Sequence, residues 1–252
     1  MGIVRVILLV TIGVGVILCQ EKDLADHFKS CKKGSSSFDK CMEKALNSLR
    51  HYFKKGLPEY GVGSFDPFFA PEVVQKRGGP NLNYKLKLKN VYEYNWSQSY
   101  VDNFRSDFGN HRIIYSQYFP EKYLNGEYEM DGLVLQYPVH NKGFWNLSLY
   151  DYNQTTTISR RSIVLPDGKL DYSGPLKVNV KVTHIGNMSL HITNLLRGRP
   201  VVEGMLDRMI NSAWRPTLPL FTPAVNDLVS TAFTEIFNKY FKRFPFEQIF
   251  PD

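Results

Sequence analysis

The chain has 252 residues, 43% of them hydrophobic and 22% charged. That is room for a substantial core and excludes a disordered polymer. Aromatic residues reach 14%, and 18 Gly with 14 Pro are spread along the chain, so collagen-like and low-complexity readings fail. A formal charge of +7 permits an acidic partner without requiring one.

The first residues read as an export signal: Arg5 is followed by an uncharged apolar run from Val6 to Leu18, ending at Cys19. The run is short for the roughly 20 residues that a membrane span needs. Residues 1–19 are therefore expected to be removed, leaving one extracellular domain over 20–252. Cys31 and Cys41 remain, and two cysteines in an exported chain read as one disulfide closing a short loop. A metal site is the rival, but two thiolates without nearby histidine do not complete a tetrahedral shell. Four sequons, at Asn95, Asn146, Asn153 and Asn187, fit the same compartment as glycosylation sites.

Ser37 to Phe53 reads as an amphipathic helix: Cys41, Met42, Ala45, Leu46, Leu49 and Phe53 share one face. Gly56-Leu57-Pro58 stops it, and a turn-rich stretch follows to Pro80. From about Asn83 to Thr193 the period is two. Predicted strands are Tyr84–Lys89, Arg112–Phe119, Leu133–Val139, Trp145–Tyr152, Leu176–His184 and Met188–Thr193. Asn125-Gly126, Pro166-Asp167-Gly168 and Gly186-Asn187 read as the turns between them. The result is an antiparallel meander with one wet and one buried face. A glycan must face solvent, so Asn146 outward turns Trp145 and Leu147 inward, and Asn187 outward turns Met188, Leu190 and Ile192 inward.

The last third returns to helical spacing. One helix is predicted over Val202–Trp214, ended by Arg215-Pro216. A second starts at Thr222-Pro223, read as an N-cap with proline at the first helical position. Its stripe runs through Val225, Leu228, Ala232, Phe233, Ile236, Phe237, Tyr240 and Phe244. Asn226, Asp227, Ser230, Thr234, Glu235, Asn238, Lys239 and Lys242 lie on the opposite, polar face.

No catalytic signature is present: there is no Gly-x-Ser-x-Gly, His-Glu-x-x-His, P-loop or Gly-x-Gly-x-x-Gly pattern. The six histidines lack metal-ligand spacing, and His184 and His191 are expected on outer strand faces. No enzyme, metal or cofactor is expected. Lys85, Lys87 and Lys89 imitate a nucleic-acid-binding strand, but export argues against that partner and leaves an anionic membrane surface open. The apolar strands and helix stripe are compatible with a solid core or with a ligand cavity.

Several motifs, in order, carry a resemblance. They are the pair Cys31 and Cys41; Gly56-Leu57-Pro58-Glu59-Tyr60-Gly61-Val62, running on to Phe65-Asp66-Pro67-Phe68; and Leu88-Lys89-Asn90-Val91. Tyr128-Glu129-Met130-Asp131-Gly132, Ile192 to Gly198, Asn211 to Trp214 and Pro245 to Pro251 follow. With them the chain resembles the insect takeout and juvenile-hormone-binding protein family over essentially all of residues 20–252. The resemblance implies an α+β fold in which a strongly curved antiparallel sheet wraps a long C-terminal helix, related to tubular lipid-binding proteins. It also implies an internal tunnel for one extended apolar ligand, and roles in circadian, feeding or chemosensory physiology. Asn194-Leu195-Leu196-Arg197-Gly198-Arg199 stands where the family has Asn-Leu-Phe-Asn-Gly-Asp, and a second cysteine pair is lacking. Both differences favour the broader takeout branch over the haemolymph hormone carriers.

Parity and spacing select the residues that would line such a tunnel. The sheet wall is expected to hold Leu86, Leu88, Leu133, Leu135, Trp145, Leu147, Val178, Val180, Leu190 and Ile192. The helix floor is expected to hold Leu228, Ala232, Phe233, Ile236 and Phe237. The function read from the sequence is a secreted, monomeric carrier of a juvenile-hormone-like isoprenoid, fatty acid or other lipid. A membrane-surface lipid binder and a secreted esterase are the rivals.

Overall fold

The computed structural model describes residues 24–79, 82–134, 137–160, 163–171, 174–195 and 200–240. Residues 1–19, Leu135 and the closing Pro245–Pro251 motif lie outside them. Among these residues eight strands are seen: β1 (Phe68–Arg77), β2 (Leu82–Tyr94), β3 (Tyr100–Asp107), β4 (Arg112–Val134), β5 (Tyr137–Arg160), β6 (Ile163–Val164), β7 (Leu170–Asp171) and β8 (Leu176–Ile192). The main sheet is antiparallel in the order β1-β2-β4-β5-β8. β3 shares β4 with β2, pairing its first half while β2 takes its second. Among the described residues two α-helices complete the fold, α1 (Phe38–Ser48) and α2 (Pro200–Tyr240).

The strands are longer than the sequence implies, because two predicted turns lie inside them. Asn125-Gly126 lies within β4, facing Trp145 and Asn146 of β5, and Gly186-Asn187 lies within β8. Glycine is needed there for crowding, not for turning. A Cβ on Gly126 would stand 3.0 Å from the Lys89 carbonyl oxygen, and one on Gly186 would stand 2.7 Å from Asp151 Cβ. Only Pro166-Asp167-Gly168 is a turn, closing the β6–β7 hairpin.

Two seams of irregularity curl the sheet. The first crosses β1 and β2 at Pro71 and Asn90, beside Gly126. The second crosses β4, β5 and β8 at Pro120, Asp151 and Gly186. Asn90 and Asp151 adopt φ of 50° and 51°, a region that Asn and Asp tolerate better than other side chains. Along β1 and β5 the in–out phase reverses at these seams. Thus Phe68 and Ala70 face inward on β1 before its seam, and Val73 and Gln75 after it. On β5 the buried set passes from Leu149 to Tyr152 and Gln154. A strand with strict alternation would be flatter.

The turn-rich stretch conceals β1. Its Pro71 is tolerated because the strand lies at the sheet edge, where a missing N–H breaks no ladder. The predicted N-terminal helix is shorter than expected, with α1 giving way at Leu49–Tyr52 to a 3-10 turn. The Cys31–Cys41 disulfide pins the segment before it, with Cα atoms 5.4 Å apart. α1 covers the free edge of β3. Asn47 Nδ2 donates to the Val101 carbonyl at 2.7 Å while its Oδ1 accepts from the Val101 N–H at 2.8 Å.

The two predicted C-terminal helices are one. Pro216, Pro219 and Pro223 lie inside α2, and Thr222 Oγ1 donates back to the Leu218 carbonyl instead of capping a new start. Proline normally breaks a helix interior. Here β8 holds both halves in line: Asn211 and Arg215 bond β8 upstream of the last proline, and Asn226 bonds it downstream.

A candidate ligand-binding interior between the sheet and α2

The curl brings both edge strands, β1 and β8, to α2. On the β8 side the contact is a ladder of side-chain to main-chain hydrogen bonds. The N–H groups of Leu176, Val178, Val180 and Val182 donate to Asn238 Oδ1, Thr234 Oγ1, Ser230 Oγ and Asn226 Oδ1 at 2.8–3.0 Å. Asn238 and Thr234 return a hydrogen to the carbonyls of Leu176 and Val178 at 2.7 and 3.0 Å. Four helical residues rise about 6.0 Å and two strand residues about 6.7 Å, so the two repeats nearly match. Four residues of the polar face, spaced by four, are therefore bonded to the sheet edge.

With that face fixed on β8, the apolar stripe of α2 turns into the concavity. Val178 and Val180 are each 1% exposed, Phe233 and Ile236 each 8%. Leu88, Trp145, Leu147, Leu228, Ala232 and Phe237 pack against the same cluster. Leu86 belongs to a separate group with Tyr84, Ala224 and Phe221. Leu190 and Ile192 are half-buried towards the end of β8. Leu133 is a correction: it is 44% exposed. The inward residues of β4 here are Tyr128 and Met130, and β4 ends at Val134, so Leu133 does not start the inward-facing strand that the sequence suggests.

The centre of the interior is aromatic, and the sequence reading did not find it. Phe68 stacks on Phe233 at 6.0 Å, Trp96 lies 5.7 Å from Phe233 and 5.2 Å from Phe119, and Phe119 lies 5.9 Å from Tyr152. Among these rings sits a buried ion pair of Lys122 and Glu93, with side chains 4% and 7% exposed. Lys122 Nζ is 4.3–5.1 Å from the ring centres of Phe119, Trp96 and Tyr152. Gln154 Oε1 accepts from Tyr152 at 3.1 Å and lies 3.4 Å from Lys122 Nζ. Burial, and then the Glu93 charge, push the Tyr152 hydroxyl far above the ordinary phenol range. On the β1 side, Phe69, Val73, Ala232, Ile236 and Tyr240 line an apolar groove of about 90 Å³.

A model of the family described as Haemolymph juvenile hormone binding protein (JHBP) matches residues 6–251. The chain belongs to that family. Among relatives, the circadian clock-controlled protein daywake of Drosophila yakuba and that of Drosophila melanogaster are each 22% identical over 234 residues, covering 88% of this chain and 86% of theirs. Among solved structures, Takeout 1 of Epiphyas postvittana superposes with a TM-score of 0.59 at 21% identity, covering 81% of this chain and 90% of that one. That likeness shows the fold: a curved antiparallel sheet closed by a long C-terminal helix.

The motifs that carry the juvenile hormone binding protein resemblance build the frame of this interior. Leu57 and Val62 exchange main-chain hydrogen bonds at 2.8 and 3.0 Å around the Pro58-Glu59-Tyr60-Gly61 turn. Asp66 then accepts from the N–H groups of Asn95 and Ser97 at 2.9 and 3.0 Å. This locks the entry to β1 onto the turn that carries Trp96, and so sets Phe68 and Trp96 against Phe233.

The remaining sequence candidates lie outside the interior. Lys85, Lys87 and Lys89 face Asp131, Glu129 and Glu127 across β2 and β4, and Lys89 bonds Glu129 at 2.7 Å, so acids neutralise the lysine stripe. His184 and His191 are exposed and pair with Asp151 and Asp207. Asn187 is exposed, while Asn95, Asn146 and Asn153 are half-buried. An esterase needs a serine and a base in contact, and Ser48 does meet His27 Nδ1 at 2.6 Å. The Ala45 carbonyl, also at 2.6 Å, competes with the histidine for the serine hydrogen. Among the described residues no cluster of three or more His, Cys, Asp or Glu is placed to hold a metal, and no helix is long and apolar enough to cross a membrane.

Proposed function

We propose that the chain is an exported, non-enzymatic carrier that holds one small apolar ligand between the concave sheet and α2. The ligand class is a juvenile-hormone-like isoprenoid, fatty acid or other lipid, and residues 1–19 serve as the export signal. The observation that carries the reading is the curl of the sheet, which brings both of its edges to one helix and turns two apolar faces towards each other. The name shared by the daywake relatives supports a place in circadian physiology.

Desolvation supplies the binding energy. At about 0.8 kcal/mol per buried CH₂, ten carbons contribute about 8 kcal/mol, which is near micromolar before ordering costs. Ala232 tests the placement, because it packs against the core cluster and also lines the β1–α2 groove. The parent protein is expected to carry an apolar small molecule through native mass spectrometry and to bind the apolar fluorophore N-phenyl-1-naphthylamine. Ala232→Trp is expected to fold with an unchanged circular dichroism spectrum and to do neither. A parent that arrives empty and refuses such probes would overturn the carrier reading. A variant that binds as the parent does would overturn the placement.

A further inference from the structure

We propose that Lys122, Glu93 and Trp96 form a polar anchor in the interior, which selects apolar ligands carrying a neutral oxygen acceptor over those carrying a free carboxylate. The inference rests on the carrier reading above and names the chemistry of the ligand's polar group.

A buried ion pair is weak as a source of stability, because the cost of desolvating two charges generally cancels their attraction. This pair is also incompletely served. Lys122 offers three hydrogens. Glu93 faces it as the counter-charge, Gln154 Oε1 accepts one hydrogen at a long 3.4 Å, and ring faces surround the rest. Beside it, Trp96 Nε1 is buried and has no acceptor among the described residues. An indole N–H left unpaired in a dry site carries its desolvation cost uncompensated. The Trp96 ring lies 5.7 Å from Phe233 and 5.0 Å from Lys122 Nζ, so both donors border the interior in which the carrier reading places the ligand.

The charge balance decides which acceptor fits. Glu93 already neutralises Lys122, so the anchor has no net charge to offer. A ketone, ester or ether oxygen takes a hydrogen from Trp96 or Lys122 and brings no charge with it. A carboxylate would add a second anion against Glu93 in a site with one cation, and burying an uncompensated charge is expensive. Tyr152 does not compete for the ligand's oxygen, because its hydroxyl is committed to Gln154.

The test compares decan-2-one, decane and decanoate on the delipidated full chain at about pH 8, where the acid is ionised. Headspace partitioning reads the two volatile ligands, and displacement of N-phenyl-1-naphthylamine reads the acid. The parent is expected to bind decanoate at least about tenfold more weakly than the ketone. Replacing the pair together (Lys122→Met with Glu93→Leu) avoids an orphaned charge and is expected to leave the urea midpoint unchanged or higher. Its affinity for decan-2-one should fall about fivefold or more, with decane affected less than about twofold. Trp96→Phe keeps a ring in place and should show the same split, which carries the test if the double substitution does not fold. Ketone and alkane losing affinity in proportion would overturn the anchor, as would decanoate binding as tightly as the ketone. A parent that binds neither ketone nor alkane would instead overturn the carrier reading on which the anchor rests.

Discussion

Thr234→Val isolates one rung of the ladder between α2 and β8. The two side chains have nearly the same shape, so packing is kept while the hydroxyl is lost. Thr234 Oγ1 now accepts from the Val178 N–H at 3.0 Å and donates to the Val178 carbonyl at 3.0 Å. Val178 is 1% exposed, so water does not take over either bond. Leaving a buried N–H unpaired costs about 1–3 kcal/mol, and the carbonyl adds a part of that. The expected loss is about 2–4 kcal/mol, a large share of the roughly 5–15 kcal/mol that holds a domain folded. Urea unfolding should show it as a midpoint lower by about 1 M or more at constant slope, with m near 2–3 kcal/mol per M. Thr222→Val is the control, because Thr222 Oγ1 donates only within its own helix, to Leu218 at 2.8 Å. It should cost under about 1 kcal/mol. A Thr234 variant no less stable than the Thr222 variant would refute the ladder as a source of stability.

The reversed strand phase makes a paired prediction: Val180→Ser should cost about 3 kcal/mol and Leu133→Ser under about 0.5, read by the same unfolding curves. Equal costs would mean that the 1% and 44% exposures of the two sites do not describe the folded state. Alkaline titration makes another. Burial pushes the Tyr115 hydroxyl up to about 12 and Tyr152 further in the same direction. An unfolded phenol ionises near pH 10, so above about that value the native state holds more protons and stability falls as pH rises towards 12. Urea midpoints should decline across that window, and less steeply in Tyr115→Phe. A profile that stays flat would contradict the burial.

What the sequence shows and hides follows from the range of each interaction. Alternation along Tyr84–Lys89 and Leu176–His184 is local and marks strands correctly, as the stripe from Leu228 to Phe237 marks a helix facing the sheet. Asn125-Gly126 and Gly186-Asn187 have the composition of turns, but their glycines answer to neighbours that only pairing brings close, at Lys89 and Asp151. Pro216 should end a helix, yet β8 supplies bonds on both sides of the proline-rich stretch. The aromatic centre is hidden for the same reason. Phe68, Trp96, Phe119 and Tyr152 come from four strands or turns, and the sheet register assembles them.

The two walls of the interior are held by unlike forces. Against β8, α2 is fixed by directional hydrogen bonds at 2.7–3.0 Å, which lose most of their strength if the helix shifts by an ångström. Against β1, the contact is mostly apolar: Phe68 on Phe233, and the groove between Val73 and Ile236. The polar bonds there are confined to one end, where Gln75 Nε2 donates to the Ala224 carbonyl and Asp227. Dispersion and desolvation are non-directional, so apolar side chains can slide and repack at modest cost. On the carrier reading proposed above, ligands of different girth are expected to be accommodated at the β1 side, near Ala232 and Ile236, while the β8 side keeps the helix in register. On that reading the ladder bears on ligand choice as well as stability, since it fixes one seam and leaves the other to repack.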